Sequence, residues 1–371
     1  MIFPTSMESI TARIEAIDPE KYATSRNYKD GALTYLSPYI SRGVISTRHV
    51  YHHLLERDLS WNKIEKLVQE LAWRDYWQQV WVAKGDEINS DLKSVQTKVV
   101  HHCIPKAITE ANTGIKAVDS GIAGLINTGY MHNHMRMYVA SIACNIGNSH
   151  WFMPAQWMYG YLLDGDWASN ALSWQWVAGS NANKKYIANQ ENINKYFYST
   201  QRGTYLDRSY ESLAQIPVPD ELKETAVFQH NTRLPATKDL AIDLNKSTLI
   251  YTYYNMDPKW RASEDANRIL HLDTALFQKY PVSDACIDFV LQLSKNIKGI
   301  QLFKGTFKEL EKHIDLNNTY YKEHPTTEHY SGIKDPRDWM FPVKGYYSSF
   351  FSSFFKFWKK WKKHSKQKRI R

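Results

Sequence analysis

The feature that most constrains the fold of this chain is a change of hydrophobic period near residue 246. Before about residue 200, apolar residues recur at helical spacing in segments separated by short breaks rich in Gly, Asn and Pro. From about residue 246, STLIYTYYN and GIQLFKG predict strands, and the intervening VSDACIDFVLQLSKNI predicts an amphipathic helix. The period therefore predicts a mainly α chain with a small α/β segment near its C-terminal end.

Composition and period together divide the chain into four predicted parts. With 371 residues, the chain is long enough for about two domains. The region after the helical pattern is polar and contains Pro, which is typical of a linker. The predicted parts are a helical domain at 1–205, a linker at 206–245, an α/β-like domain at 246–340 and an aromatic, then basic, tail at 341–371.

The net charge of +9 is concentrated in the tail. The last sixteen residues contain nine Lys or Arg and no acidic residue, and the remainder of the chain has 38 basic and 38 acidic residues. An anionic partner of the body must therefore meet a local patch rather than a general field. The rings and cations of the tail suit contact with nucleic acid or an anionic membrane surface, and a solubilising or disordered tail is the alternative.

The spacing of the cysteines and the search for targeting signals together predict the cellular compartment. Cys103, Cys144 and Cys286 lie far apart without a CxxC motif, so neither a disulfide framework nor a zinc site is predicted. The N-terminal residues lack a basic region followed by an apolar run, so no signal peptide is predicted. No apolar window is long enough to span a membrane. These patterns predict a cytoplasmic protein.

One predicted helix combines rings and charges on one face. In VQELAWRDYWQQVW, Glu70, Trp73, Arg74 and Trp77 stand at offsets 0, 3, 4 and 7. The face is either a cleft wall with a carboxylate, a guanidinium and a stacking ring, or a half-buried helix with a Glu–Arg pair. The spacing leaves both interpretations open.

Two other stretches have polar groups at predicted helix starts. Thr34 and Ser37 surround a turn, where their hydroxyls and the free backbone N–H groups suit either a phosphate or ordinary capping. His132 and His134 are two residues apart, so they point to different sides of a helix, and no carboxylate stands at metal spacing nearby. No metal site is predicted.

The stretch LLDGDWASNALSWQWVAG places carboxylates, an amide and two tryptophans together. With ELAWRDYW, TGIKAVDSGIAGLINTGYMHNHMRM and YATSRNYKDGALTYLSPYISRGVISTRHV, it resembles the FAD-binding helical domain of the photolyase/cryptochrome family. The resemblance covers residues 10–200, approximately, in the family's motif order, and is closest in pattern to cyclobutane pyrimidine dimer photolyases. Members of this family begin with an α/β antenna-binding domain, whereas these motifs begin close to residue 1, so the chain is predicted to lack that domain.

The resemblance implies FAD as the cofactor. Arg136 is implied to pair with Asp164 beside the flavin's N5 and O4, where a positive charge favours anionic reduced flavin. Asp166 is implied to accept from the flavin's N3–H, and Asn170 to face N5. The residues implied to bind the cofactor are Tyr22, Thr34, Leu36, Ser37, Arg74, Asn133, Arg136, Asp164, Gly165, Asp166 and Asn170.

The resemblance also implies a substrate wall and an electron path. A pyrimidine dimer flipped out of DNA would need ring faces to stack on and polar groups at its edges. Met137 favours the cyclobutane class, because (6-4) photolyases tend to have His there. Trp174 and Trp151 match the first two tryptophans of the electron-transfer chain, and Lys98 stands at the third position. The implied substrate-binding residues are Glu70, Trp73, Asn133, His134, Met137 and Trp176. The resemblance assigns catalytic roles to Glu70, Asn170, Trp174 and Trp151.

The expected function is blue-light-driven repair of cyclobutane pyrimidine dimers, by electron transfer from reduced FAD to the flipped-out dimer. DNA that contains such dimers is the expected partner. Two alternatives stay open: a cryptochrome-like photoreceptor, and a DNA-binding protein that contains FAD without repairing DNA. A preference for damaged over intact strands separates repair from pure reception.

Overall fold

The computed structural model describes residues 3–182 and 184–351, so most of the predicted basic tail lies outside the described residues. The first part is helical, as the period predicts, and no helix within the described ranges is long and apolar enough to cross a membrane. The helices are α1 (Met7–Glu15), α2 (Pro19–Ser25), α3 (Ser37–Ser41), α4 (Thr47–Glu56), α5 (Trp61–Lys84), α6 (Lys106–Thr109), α7 (Lys116–Thr128), α8 (Asn133–Ser141), α9 (Phe152–Tyr161), α10 (Trp167–Ala178), α11 (Gln190–Phe197) and α12 (Tyr210–Leu213).

Helix α10 is the central helix of this part and packs against α5, α8 and α9. It begins at the N-cap Asp166, whose side chain accepts from the Ser169 N–H, and it ends at Gly179 in the left-handed conformation (φ 86°). Most of its residues are buried, because apolar side chains occur on every side of the helix. The helix therefore brings one end of the DGDWASN motif into the middle of the bundle.

The second part is built on a five-stranded parallel sheet. A separate antiparallel pair joins β1 (Ile104–Pro105) to β2 (Thr225–Ala226). The sheet strands are β3 (Thr248–Tyr251), β4 (Asn267–Asp273), β5 (Ile300–Gly305), β6 (Thr319–Lys322) and β7 (Ile333–Asp335), and the helices are α13 (Thr274–Lys279), α14 (Asp284–Ser294) and α15 (Phe307–Leu310). The strands are arranged in the order β5-β4-β3-β6-β7. The periodicity predicts β3 and β5, and the other three strands are seen only in the structure.

Both faces of this sheet are covered. Alternate residues of β3 divide between two clusters: Leu249 and Tyr251 join the large core shared with the helical part, and Ile250 packs with Phe307 and Tyr321 in a smaller cluster. Burial on both faces is typical of parallel strands. The fold is therefore a mainly α chain with a helical domain followed by a small α/β unit, as predicted.

A buried arginine joins the two parts. Arg42 is fully buried, and its Nη2 donates to the Ser41 hydroxyl (2.9 Å) and to the Gly165 carbonyl. Its guanidinium lies 3.7 Å from the centroid of the Tyr253 ring, directly after β3. The Tyr159 and Tyr254 hydroxyls are 2.7 Å apart across the same junction. These contacts fix the sheet against the DGD turn of the helical part.

The segment predicted as a linker, 206–245, has little regular structure but packs along the helical part. Leu213 and Leu222 are buried, and β2 pairs with β1. The His230 ring nitrogen Nε2 lies 3.0 Å from the Trp157 carbonyl oxygen. The segment is thus fixed by contacts along its length within the structure.

Candidate functional site

A cavity of about 850 Å³ lies within the helical part and is lined by α5, α8, α10 and the loop before α3. The four motif segments converge here although they are distant in sequence. Fourteen of the predicted site residues line it: Tyr22, Thr34, Ser37, Glu70, Trp73, Arg74, Asn133, Arg136, Met137, Asp164, Asp166, Asn170, Trp174 and Trp176.

One side of the cavity is set by a buried ion pair. Arg136 Nη2 donates to both oxygens of Asp164 at 3.0 Å, and Asp164 is 5 % exposed. Arg136 Nε also donates to the Met131 carbonyl (2.9 Å), which orients the guanidinium. Burial acts to raise the pKa of Asp164, but Arg136 and the Ser37 hydroxyl outweigh it, so that pKa lies below its ordinary value. The cavity therefore contains a carboxylate that stays ionised and a fixed cation.

A second carboxylate on the same side has three donors. Asp166 Oδ1 accepts from the Ser169 N–H (2.8 Å), and Oδ2 accepts from Gln78 Nε2 (2.6 Å) and Arg74 Nη1 (3.3 Å). Because an ionised carboxylate has about four acceptor sites, one further donor can still be accepted. Of the two interpretations that the spacing left open for α5, the half-buried helix with a Glu70–Arg74 pair is not the one observed, because Arg74 pairs with Asp166 and Glu70 with Lys66.

Two polar side chains of α10 complete this side. Asn170 Nδ2 donates to the Ala155 carbonyl at 2.8 Å, so its amide oxygen is the group left for another partner. The Ser169 hydroxyl is buried, lines the cavity and has no hydrogen-bond partner within the described residues. An unpartnered buried hydroxyl is costly in an empty site, which favours a ligand or water at this point.

The other side of the cavity is aromatic. Trp73 contacts Trp77 with ring centroids 5.0 Å apart, and Trp176 is 41 % exposed. Glu70 accepts from Lys66 Nζ at 2.8 Å and lies 3.7 Å from Arg26 Nε. This side of the cavity therefore combines flat ring faces with one carboxylate held by Lys66.

Four predicted site residues do not line the cavity. Leu36 is buried at the start of α3, and Gly165 directs its carbonyl to Arg42. The His134 ring packs on Tyr138 and Tyr196 and its Nδ1 lies 3.1 Å from the Asn27 oxygen, so the structure does not bring it to the site.

Trp151 also lies away from the cavity. It is fully buried, and its Nε1 donates to Asp91 Oδ1 at 2.8 Å. Its role in electron transfer stays a prediction, as does that of Trp174, which lines the cavity at 2 % exposure. Within residues 3–182 and 184–351, no group of three or more His, Cys, Asp or Glu side chains is arranged to hold a metal ion.

Sequence reasoning missed several lining residues. Lys93 lies between motifs, and burial lowers the pKa of its ammonium group. The last described residues, 348–351, also line the cavity, although they are more than 150 residues from the nearest motif. No local pattern marks either contribution, because both depend on how distant segments pack.

The fold and this cavity define a helical flavin-binding domain. The family model described as the FAD binding domain of DNA photolyase matches residues 67–255, about half of the chain. The chain therefore belongs to the photolyase/cryptochrome family, and FAD is the cofactor of this domain.

Similar proteins include both branches of the family. A deoxyribodipyrimidine photo-lyase of Alkalihalophilus pseudofirmus is 30 % identical over 218 residues, covering 56 % of this chain and 45 % of that protein. The corresponding enzyme of a Synechococcus species is 31 % identical over 211 residues, covering 54 % and 43 %. A cryptochrome DASH of Danio rerio is 26 % identical over 219 residues, covering 53 % and 39 %. The chain thus spans less than half the length of these curated relatives.

Solved structures of the family are also similar. A Synechocystis cryptochrome matches with a TM-score of 0.46 and 23 % identity, covering 53 % of this chain and 44 % of that chain. A class III photolyase from Agrobacterium tumefaciens matches with a TM-score of 0.41 and 27 % identity, covering 51 % and 43 %.

Proposed function

We propose that this chain repairs cyclobutane pyrimidine dimers in DNA with blue light, with FAD on the charged side of the cavity and the dimer on the aromatic side. The observation that carries the proposal is a shared cavity: Glu70, Trp73 and Trp176 line the same space as the Arg136–Asp164 pair. A flavin and a flipped base would therefore lie within one enclosure, separated by no wall of protein.

The residues present fit FAD. A volume of about 850 Å³ is within the range of roughly 300–1,000 Å³ that is usual for cofactor and small-molecule sites. The unpartnered Ser169 hydroxyl and the remaining acceptor site of Asp166 match a ligand with polar edges. We propose that Tyr22, Thr34, Ser37, Arg74, Asn133, Arg136, Asp164, Asp166 and Asn170 hold it. FAD, when bound in its reduced form, supplies the electron that light transfers.

The role of the charged side is to fix protonation and orientation. Arg136 is held by two hydrogen bonds to Asp164, so its charge would be fixed beside a flavin bound on this side and would favour the anionic form of that flavin. The Asn170 amide is oriented by its hydrogen bond to the Ala155 carbonyl. Its oxygen can therefore accept a hydrogen bond from an N–H group of a ligand. Both side chains are therefore positioned before a ligand binds, so little reorganisation is required.

The role of the aromatic side is to hold the base. A base that leaves the duplex loses its stacking, and stacking on an aromatic side chain restores about 1–3 kcal/mol per base. Trp73 and Trp176 offer those faces, and Glu70 can accept hydrogen bonds from N–H groups at the dimer's edge. The salt bridge from Lys66 keeps the Glu70 carboxylate in place.

The direct test is blue-light repair of a dimer-containing oligonucleotide by pre-reduced, FAD-loaded protein. We expect loss of dimers in the light and none in the dark. Glu70→Gln should reduce the repair rate about tenfold while bound FAD is retained, since the lost carboxylate is worth about 1–2 kcal/mol of charge-assisted bonding. No dimer loss by the parent protein would overturn the proposal.

The alternative function is photoreception without repair, which the similarity to a cryptochrome DASH supports. A receptor of that kind should bind damaged and intact oligonucleotides equally. Binding is therefore measured in the dark with both strands before the repair assay.

A further inference from the structure

The last described residues lie in the cavity, on the aromatic side where we propose that the base binds. Ser348, Ser349, Phe350 and Phe351 line it. The Phe350 ring stacks on Trp73 with centroids 3.8 Å apart and an interplanar angle of 16°, and Phe350 is only 2 % exposed. This nearly parallel, stacked contact is the arrangement that a stacked base would make with Trp73.

The chain that leads to Phe350 is fixed along one helix. From residue 337 onward it follows α5, whose polar side chains bind the Arg337 side chain and then the backbone of residues 340–347. The segment therefore reaches the cavity along a defined path. The bonds are Arg337 Nη1 to Gln78 Oε1 (2.6 Å), Met340 N–H to Asp75 Oδ2 (2.8 Å), Gln79 Nε2 to the Val343 oxygen (3.1 Å), Gly345 N–H to Gln79 Oε1 (3.1 Å) and Tyr76 hydroxyl to the Tyr347 oxygen (2.9 Å).

We propose that residues 348–351 are an intramolecular occupant of the base pocket, which must leave before a flipped-out pyrimidine dimer can stack on Trp73. This inference rests on the proposed function, because it takes the aromatic side to be the base site. Two rings cannot occupy the same face of Trp73 at 3.8 Å, so Phe350 and the base exclude each other. The apparent affinity for damaged DNA is therefore the affinity of the open pocket multiplied by the fraction of molecules in which residues 348–351 have left it.

The sequence beyond Phe351 connects this exchange to nucleic acid. The nine Lys and Arg of residues 356–371 begin five residues after Phe351, and the rest of the chain has no net charge. The attraction between these cations and DNA phosphates acts on residues next to the occupant. The bonds of residues 337–347 to α5 would keep the segment attached while residues 348–351 move out, so phosphate contact favours an open pocket.

The test is Phe350→Ala in the full chain, loaded with FAD and assayed for binding of a dimer-containing oligonucleotide in the dark. We expect the affinity to rise about tenfold, which corresponds to ~1.4 kcal/mol, with no change for an intact oligonucleotide. Phe350→Leu keeps an apolar side chain without a flat ring, and we expect a smaller increase. Bound FAD, measured by absorbance, checks that each variant is folded.

Tyr346→Ala is the matched control, because Tyr346 is 46 % exposed in the same segment and does not line the cavity. We expect its affinity to equal that of the parent. Equal affinities of parent and Phe350→Ala, with repair by both, would overturn the occupant and leave the proposed function standing.

The remaining outcomes also separate the two proposals. Binding by Phe350→Ala but not by the parent supports a tightly closed occupant. No damage-specific binding by any variant overturns both proposals. Loss of FAD from Phe350→Ala without a gain in affinity would identify Phe350 as part of the flavin wall, which contradicts the occupant.

Discussion

The two sides of the cavity differ in how completely the chain fixes them. On the charged side, Arg136 is hydrogen-bonded to Asp164, and Asp166 is hydrogen-bonded to Gln78 and Arg74 of α5. On the aromatic side, Trp176 is exposed and Trp73 is covered by a segment from the far end of the chain. Under the proposed function, this difference suits a cofactor that stays bound on the charged side and a base that exchanges on the aromatic side.

This contrast has a physical basis in what each side would lose. An ion pair that is buried cannot be opened cheaply, because removal of one partner leaves an uncompensated charge. A ring stacked on another ring can be exchanged for a third ring at nearly equal free energy. Substitutions on the two sides should therefore differ in kind: those on the charged side should affect cofactor content and stability, and those on the aromatic side should affect substrate affinity.

The largest expected effect comes from a comparison of the two tryptophans of α10. Trp174→Ala removes a ring that is 2 % exposed, and we expect the free energy of unfolding to fall by about 3–5 kcal/mol. Trp176→Ala, at 41 % exposure, should change it by less than about 1 kcal/mol. Urea unfolding of the two FAD-free variants measures both values. Equal losses would show that the two rings do not divide between core and surface.

The next effect is expected for the buried ion pair. Asp164→Ala leaves the Arg136 charge without its carboxylate, and we expect a loss of about 3 kcal/mol in the free energy of unfolding, together with loss of bound FAD. Glu224→Ala is the control, because Glu224 pairs with Lys106 at 72 % exposure and such surface pairs contribute about 1 kcal/mol or less. A loss in Asp164→Ala no greater than in this control would contradict a structural role for the pair.

A smaller effect is expected on the aromatic side. Trp176→Ala should weaken dark binding of a dimer-containing oligonucleotide about tenfold, since stacking contributes about 1–3 kcal/mol per base. Fluorescence anisotropy measures the affinity, with an intact oligonucleotide as the reference. An equal loss for both oligonucleotides would place Trp176 in general DNA contact rather than in the base pocket.

A further effect is a pH dependence of stability. Burial, with His134 and Arg136 nearby, lowers the pKa of His132 to about 4. Between about pH 4 and 6.5 the unfolded chain binds more protons than the folded one, so the free energy of unfolding falls as the pH is lowered through this window. His132→Asn should reduce this slope in urea unfolding at several pH values. An unchanged slope would assign the pH dependence to other groups.

Much of the fold and site was predictable because the motifs specify both the helical period and the side chains that face the cavity. The helical period of residues 62–85 predicts α5, and the four motif segments predict which side chains converge. The pairing of Arg74 with Asp166 rather than Glu70 was not predictable from spacing, because it depends on where α10 packs. Strand β4 was missed because its polar residues Arg268 and His271 interrupt the apolar pattern; in the structure Arg268 donates to the Glu264 carbonyl, and the His271 ring lies 2.9 Å from the Gly305 carbonyl oxygen of β5.

The approach of Phe350 to Trp73 was the least predictable feature. Nothing near either residue indicates the other, and the contact depends on the chain from 337 to 347 following α5. The aromatic composition of this region sets it apart in the sequence, but composition carries no information about which surface the region contacts.

The most direct test of the difference between the two sides is the amount of FAD bound by Asp164→Ala and by Trp176→Ala, measured by absorbance after reconstitution. We predict that the parent protein and Trp176→Ala each bind one FAD per chain, and that Asp164→Ala binds almost none. Retention of FAD by Asp164→Ala, or an equal loss from Trp176→Ala, would contradict a cavity divided into a cofactor side and a substrate side.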